Sequence, residues 1–149
     1  MSDGPPEIIA VEHDDYHARH VGWTADGRQF FLTRPFEPAI NGRAGGEFIA
    51  LYIFDTGGNL IEAKIDELGP RVTMDNDKAR ESYDRRLKEL GEVRFGRIMV
   101  APFSVQRFAT QIGLVLRAQE EDGDRWAVEA QPGNYMAFFE PWDSGEHDT

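Results

Sequence analysis

A chain of 149 residues with a net charge of −11, no cysteine and 40% hydrophobic residues is typical of one globular domain. The lack of cysteine excludes disulfides and thiol chemistry, and the acidic charge argues against binding to nucleic acid. Without a signal-peptide pattern or an apolar run of roughly 20 residues, we expect a cytoplasmic protein with no membrane span. We predict one domain over 1–149, with an ordered core from about residue 8 to 142 and acidic segments at both ends.

Two hairpins are predicted in the first half of the chain. After a short strand at 8–11, the apolar stretches at 21–24 and 28–34 flank an Asp-Gly turn, which is a strong hairpin signal. The unbroken apolar run at 48–54 indicates a central strand that is covered on both faces. A Gly-rich turn then leads into a strand at 60–65, which predicts the second hairpin.

The strand at 60–65 carries two kinds of side chain. Because successive side chains of a strand point to opposite faces, we expect Ile61, Ala63 and Ile65 on one face. Glu62 and Lys64 are then expected on the other face.

A helix is predicted over residues 75–90, where the apolar positions recur with a period near 3.6. Thr73 or Asp75 is the expected N-cap, and Gly91 is expected just after the last turn. The apolar stripe consists of Ala79, Tyr83, Leu87 and Leu90.

The remainder of the chain is predicted to be mostly strand. Segments 93–100, 111–118, 126–130 and 135–139 favour β-structure, and the turns between the last three favour an antiparallel meander. We expect a helical turn at 103–108, because apolar residues recur there at helical spacing after a proline. The order of elements predicts an α+β fold: a mostly antiparallel sheet of hairpins and a meander, with one long amphipathic helix packed on a face.

The first functional hypothesis is a non-enzymatic protein-binding module of the inhibitor, immunity or adaptor type. No serine lies in a Gly-x-Ser-x-Gly motif, and acidic residues adjoin aromatic ones near the C-terminus. Acidic side chains attract a basic partner over long distances, and aromatic side chains anchor it. The residues expected at this surface are Glu120, Glu121, Asp122, Asp124, Trp142 and Asp143.

The alternative hypothesis is a pocket protein, either a small-molecule binder or a modest hydrolase or isomerase. Its pocket would have an aromatic sheet as a wall and an arginine or histidine as the polar anchor. The candidate residues are Tyr52, Phe54, Arg97 and His20.

A metal enzyme built on His13, His17 and His20 is the third and weakest hypothesis. The three imidazoles would share a face only on a helix, and the segment has no helix signal and no HExxH motif. We therefore predict no metal site and no cofactor.

Four arginines lie within otherwise apolar stretches. Arginines in such places either pair with carboxylates or line an anion site. Because the chain has a surplus of acids, structural pairing is the favoured interpretation for Arg34, Arg97, Arg107 and Arg117.

Overall fold

The computed structural model describes residues 5–39, 42, 45–117, 119 and 125–148. This part of the chain contains one helix and twelve strands, all paired antiparallel. The elements are β1 (Ile9–Val11), β2 (His20–Thr24), β3 (Gln29–Thr33), β4 (Phe36–Glu37), β5 (Gly46–Phe54), β6 (Leu60–Gly69), α1 (Asn76–Glu89), β7 (Val93–Phe95), β8 (Ile98–Val100), β9 (Phe103–Arg107), β10 (Thr110–Arg117), β11 (Ala127–Gln131) and β12 (Ala137–Phe138). Within these residues, no helix is both long and apolar enough to cross a membrane.

The strands form two sheets and one small ribbon. The six-stranded sheet has the order β4-β5-β3-β2-β7, with β6 paired along the other edge of β5. The four-stranded sheet has the order β12-β11-β10-β9, and β1 pairs with β8. Both predicted hairpins, β2–β3 and β5–β6, are confirmed, as is the C-terminal meander.

Strand β5 is central because both of its faces are covered. The even-numbered side chains from Phe48 to Phe54 belong to the main hydrophobic cluster, together with Ile112 of the four-stranded sheet. The odd-numbered side chains from Ile49 to Ile53 belong to a second cluster, which α1 covers. The prediction for 48–54 is confirmed, and the molecule is layered as helix, six-stranded sheet and four-stranded sheet.

Helix α1 has the predicted ends but is of ordinary length. It contains 14 residues, about four turns, so it is not the long helix that was expected. The Asp75 carboxylate accepts the backbone N–H of Asp77 and Lys78 at 3.0 and 3.2 Å, which identifies Asp75 as the N-cap. Gly91 follows the C-cap with a φ of 72°, a conformation that glycine adopts without strain.

Two predictions after the helix are wrong. Segment 93–100 is not one strand: β7 pairs with β2, whereas β8 pairs with β1. Segment 103–108 is not a helical turn, because β9 forms a hairpin with β10. Phe108 and Ala109 make the tight turn of this hairpin with φ values of 54° and 59°.

One side chain of β6 departs from the predicted alternation. Ile53 pairs with Glu62 and Phe54 pairs with Leu60, so Ile61 is the extra residue of a β-bulge. Leu60 and Ala63 consequently pack on the main cluster, while Ile61 is 54% exposed.

Candidate functional site

The predicted acidic surface lies mostly beyond the described residues. Glu120, Glu121, Asp122 and Asp124 are outside them. Asp143 is exposed, and Trp142 is half-buried against the main cluster, where its backbone oxygen accepts the N–H of Ala10 at 2.8 Å. Within the described part of the chain, the buried Trp142 indole N–H has no hydrogen-bond partner. Binding of a basic partner at this surface stays a prediction.

The residues suggested for an aromatic pocket are not together. Tyr52 and Phe54 are buried in the main cluster. Arg97 is at the surface, where its side chain donates to Glu12 at 2.9 Å and to the Ser144 carbonyl at 3.1 Å. Of the four, His20 alone lines the cleft described below.

The three histidines near the N-terminus have separate partners. His13 contacts the Arg19 carbonyl at 3.0 Å through Nε2, whereas His20 contacts the Tyr83 hydroxyl at 2.5 Å through Nδ1. The His17 ring packs edge-on against Tyr135. Among the described residues, no three His, Cys, Asp or Glu side chains form a group that would hold a metal ion.

A cleft of about 910 Å³ opens where α1 begins, beside the ends of β3 and β5 and the segment before β2. Four arginines line it, and we call it the arginine cleft. Its described lining residues are Asp15, Tyr16, His17, Arg19, His20, Thr33, Arg34, Phe36, Glu47, Arg71, Met74, Asn76, Arg80 and Tyr83.

Two of the arginines converge on one buried carboxylate. Arg71 donates to Glu47 at 2.8 Å, and Arg34 lies 3.6 Å from the other carboxylate oxygen. The Glu47 side chain is 8% exposed, and its hydrogen bond and charge raise the pKa of Arg71. The guanidinium of Arg71 also lies 4.9 Å from the centre of the Phe36 ring. Glu47 therefore fixes two guanidinium groups at the cleft wall.

Arg19 and Arg80 are different, because neither has a carboxylate partner among the described residues. The described lining carries four guanidinium groups and two carboxylates, Asp15 and Glu47. With neutral histidines the cleft is net positive, although the whole chain has a charge of −11. This local excess favours an anion in the cleft.

His20 and Tyr83 form an uncharged pair in the same cleft. Burial is the main cause that lowers the pKa of His20, and the charges of Arg19 and His13 add to it. Burial also raises the pKa of Tyr83 to about 12. The Tyr83 hydroxyl lies 3.5 Å from the Leu32 carbonyl as well as beside His20. The pair therefore contributes hydrogen-bonding groups at neutral pH, and no charge.

Contacts of the Asp14 side chain hold the segment before β2 in place. One Asp14 carboxylate oxygen accepts the backbone N–H of Tyr16 at 2.8 Å and of Ala18 at 2.9 Å. The other lies 3.2 Å from Nε2 of His147, whose side chain is 8% exposed. These contacts fix the segment that carries His17 and Arg19, so this wall of the cleft is formed before any ligand arrives.

Comparison with protein-family models, with curated proteins and with solved structures gave no match. The fold and the cleft therefore define the class of the protein only coarsely. The described residues form a small β-rich fold with one helix and an arginine-lined cleft.

Part of this site is recognisable in the sequence. His17, His20 and Arg34 were candidates on other grounds, and the predicted pairing of Arg34 agrees with its contact to Glu47. The sequence did not indicate Arg19, Arg71 or Arg80, because no motif links positions spread from 19 to 80 along the chain. The available signal was the small number of basic residues: 16 Lys and Arg against 27 Asp and Glu make any group of four arginines notable.

Proposed function

We propose that the protein binds a small oxyanion, a carboxylate or phosphate compound, in the arginine cleft. The observation that carries this proposal is the gathering of four guanidinium groups in one cleft of an acidic protein. Guanidinium groups match the planar geometry of carboxylate and phosphate and stay charged at any physiological pH.

The size and lining of the cleft support a small polar ligand. Ligand clefts of small molecules span about 300–1,000 Å³, and the arginine cleft has about 910 Å³. Its described walls carry arginine, histidine, threonine, asparagine and tyrosine side chains and two carboxylates, and the apolar side chains among them are Phe36 and Met74. A purely apolar ligand would leave these groups without partners, which costs free energy.

Each arginine has a part in this binding. Arg34 and Arg71 already share the charge of Glu47, so they offer their remaining N–H groups as donors. Arg19 and Arg80 have no such carboxylate among the described residues, so they supply the net charge that an anion neutralises. Loss of either one is expected to weaken binding more than loss of an arginine outside the cleft.

The test is a titration with sodium sulfate, followed by NMR chemical shifts, on the wild type and three variants. Arg19→Gln and Arg80→Gln remove charges from the cleft. Arg85→Gln is the matched control, because Arg85 is exposed on the same helix, donates to Ser82 at 3.2 Å and does not line the cleft. We expect each cleft variant to weaken sulfate binding about five-fold, which corresponds to about 1 kcal/mol for one exposed charged contact.

Two results would contradict the proposal. In one, saturating sulfate shifts no amide signal of the cleft residues in the wild type. In the other, Arg85→Gln weakens binding as much as the two cleft variants, which would indicate a general effect of net charge.

A further inference from the structure

The two contacts of the Tyr83 hydroxyl favour one tautomer of His20. A carbonyl oxygen only accepts, so the Tyr83 hydroxyl must donate its single proton to use its contact with the Leu32 carbonyl at 3.5 Å. The contact with His20 Nδ1 at 2.5 Å then requires that Nδ1 carries a proton and donates it to the Tyr83 oxygen. This arrangement uses both contacts, and the opposite tautomer uses one.

With the proton on Nδ1, the Nε2 atom of neutral His20 has a free lone pair. Nε2 has no hydrogen-bond partner within the described residues, and His20 lines the arginine cleft. The ring is held in place by Tyr83 on one side and by Phe95, which packs edge-on at 5.5 Å. With Nδ1 protonated, His20 is therefore a lining residue with a fixed ring and an Nε2 atom that accepts.

Besides His20, the described lining of the cleft holds other acceptors, among them the Asp15 carboxylate, the Asn76 amide and the Thr33 hydroxyl. Guanidinium groups only donate, and the buried Glu47 carboxylate already receives Arg71 and faces Arg34. Arg19 lies close enough to His20 for its charge to lower the pKa of the imidazole. A ligand group that meets Arg19 thus comes near the imidazole of His20, a neutral acceptor whose ring Tyr83 and Phe95 hold in place.

We infer that the arginine cleft selects an oxyanion that also bears a hydroxyl group, as in a hydroxy acid or a sugar phosphate. The oxyanion lies on Arg19 and Arg80, and the hydroxyl donates to Nε2 of His20. This inference rests on the proposed function, since it names the ligand class of the same cleft.

The first test determines the tautomer of His20 by long-range ¹H–¹⁵N NMR spectra of the uniformly labelled protein near pH 7.5. We expect the proton on Nδ1. In Tyr83→Phe, which lacks the hydroxyl, we expect the proton to redistribute toward Nε2. A wild-type spectrum with the proton on Nε2 would overturn the inference and leave the arginine site untouched.

The second test compares glycerol 3-phosphate with propyl phosphate, which carries the same phosphate without hydroxyl groups on the chain. We expect the wild type to bind glycerol 3-phosphate at least five-fold more tightly. His20→Phe keeps a ring but removes the acceptor, so it is expected to lose this preference and still bind both phosphates. His20→Gln restores an acceptor oxygen and is expected to recover part of the preference.

The outcomes separate the two proposals. Equal binding of both phosphates by the wild type, weakened by Arg19→Gln, would reject the hydroxyl preference and keep the oxyanion site. No binding of either phosphate or of sulfate would reject the oxyanion site itself. Thermal unfolding of His20→Phe measures its folded fraction, and His20→Gln repeats the comparison if the phenylalanine variant is unfolded.

Discussion

Glu47 shows how one residue links the stability of the fold to the charge of the cleft. It is 6% exposed at the start of the central strand, and two arginines meet its carboxylate. A buried carboxylate costs free energy unless it is paired, and here the pairing also positions two guanidinium groups. The same side chain therefore sets the geometry of the cleft and lowers its positive charge.

Glu47→Gln is expected to destabilise the protein and to tighten sulfate binding. The amide cannot neutralise Arg34 and Arg71, so we expect the free energy of unfolding to fall by about 1–3 kcal/mol, discounted because both arginines are partly exposed. The cleft gains one net positive charge, so sulfate affinity should rise several-fold. Urea unfolding and sulfate titration measure the two effects. Glu67→Gln is the control, because Glu67 is exposed and has no ion pair among the described residues. Equal changes in stability and in sulfate affinity for Glu47→Gln and Glu67→Gln would refute the prediction.

At the scale of single residues, the sequence predicted that arginines form ion pairs, but it did not predict where the cleft lies. The ion pairs of Arg34, Arg97 and Arg117 agree with the favoured interpretation, and their partners are Glu47, Glu12 and Glu129. Arg107 does not fit it, because its side chain donates to the Gln106 carbonyl and has no carboxylate partner among the described residues. The cleft itself was not predicted, because its arginines come from the segment before β2, the end of β3, the segment after β6 and helix α1. Such a group forms only when the chain has folded, and no local pattern encodes it.

At the scale of elements, the sequence predicted what depends on local periodicity. The apolar run of β5 and the cap of α1 are both strong local signals, and the structure agrees with them. The prediction of a helical turn at 103–108 was wrong because a short apolar run fits a strand or a helix equally well. The prediction of one strand at 93–100 was wrong because β7 and β8 pair with different strands. The periodicity of the sequence does not indicate which strands pair.

The junction of β2 and β7 allows a test of element packing. A Cβ added to Gly22 would lie 2.0 Å from the Arg94 carbonyl oxygen and 2.8 Å from the Phe95 Cα, both backbone atoms. We expect Gly22→Ala to cost about 1–3 kcal/mol of unfolding free energy, as overpacking does, and to displace β7 with Phe95. Chemical denaturation measures this cost.

Gly96→Ala is the matched control for this junction. Gly96 directly follows β7, and a Cβ there meets no atom within 4 Å. It is expected to change the free energy of unfolding by less than about 0.5 kcal/mol.

Because Phe95 packs on the His20 ring, Gly22→Ala should also weaken the hydroxyl preference of the cleft. A stable Gly22→Ala variant with unchanged β7 signals would contradict this packing.

At the scale of the whole molecule, the burial of two histidines and the charge of the cleft set two opposite responses to pH. Burial, followed by the charge of His147, lowers the pKa of His17 below 6.5, and burial with the charges of Arg19 and His13 lowers that of His20. Both imidazoles thus bind protons more readily in the unfolded chain. Their contribution to stability is fully present above pH 6.5 and is lost as the pH falls through the lowered folded values. The free energy of unfolding should therefore decline below about pH 6.5 without ligand.

A bound oxyanion is expected to reverse this decline in part. An anion in the arginine cleft stabilises the protonated form of a nearby imidazole, so it raises the pKa of His20 toward its ordinary value. Linkage then requires that the anion binds more tightly as the pH falls from 7.5 to 5.5. Sulfate is the suitable probe because its own charge is constant over this range. Thermal unfolding at each pH, with and without sulfate, should show a stabilisation that grows as the pH is lowered, and His20→Phe should reduce that growth. If the stabilisation by sulfate is independent of pH in the wild type, the bound anion does not face His20. In that case, loss of the stabilisation in Arg19→Gln and Arg80→Gln would still place the anion in the cleft.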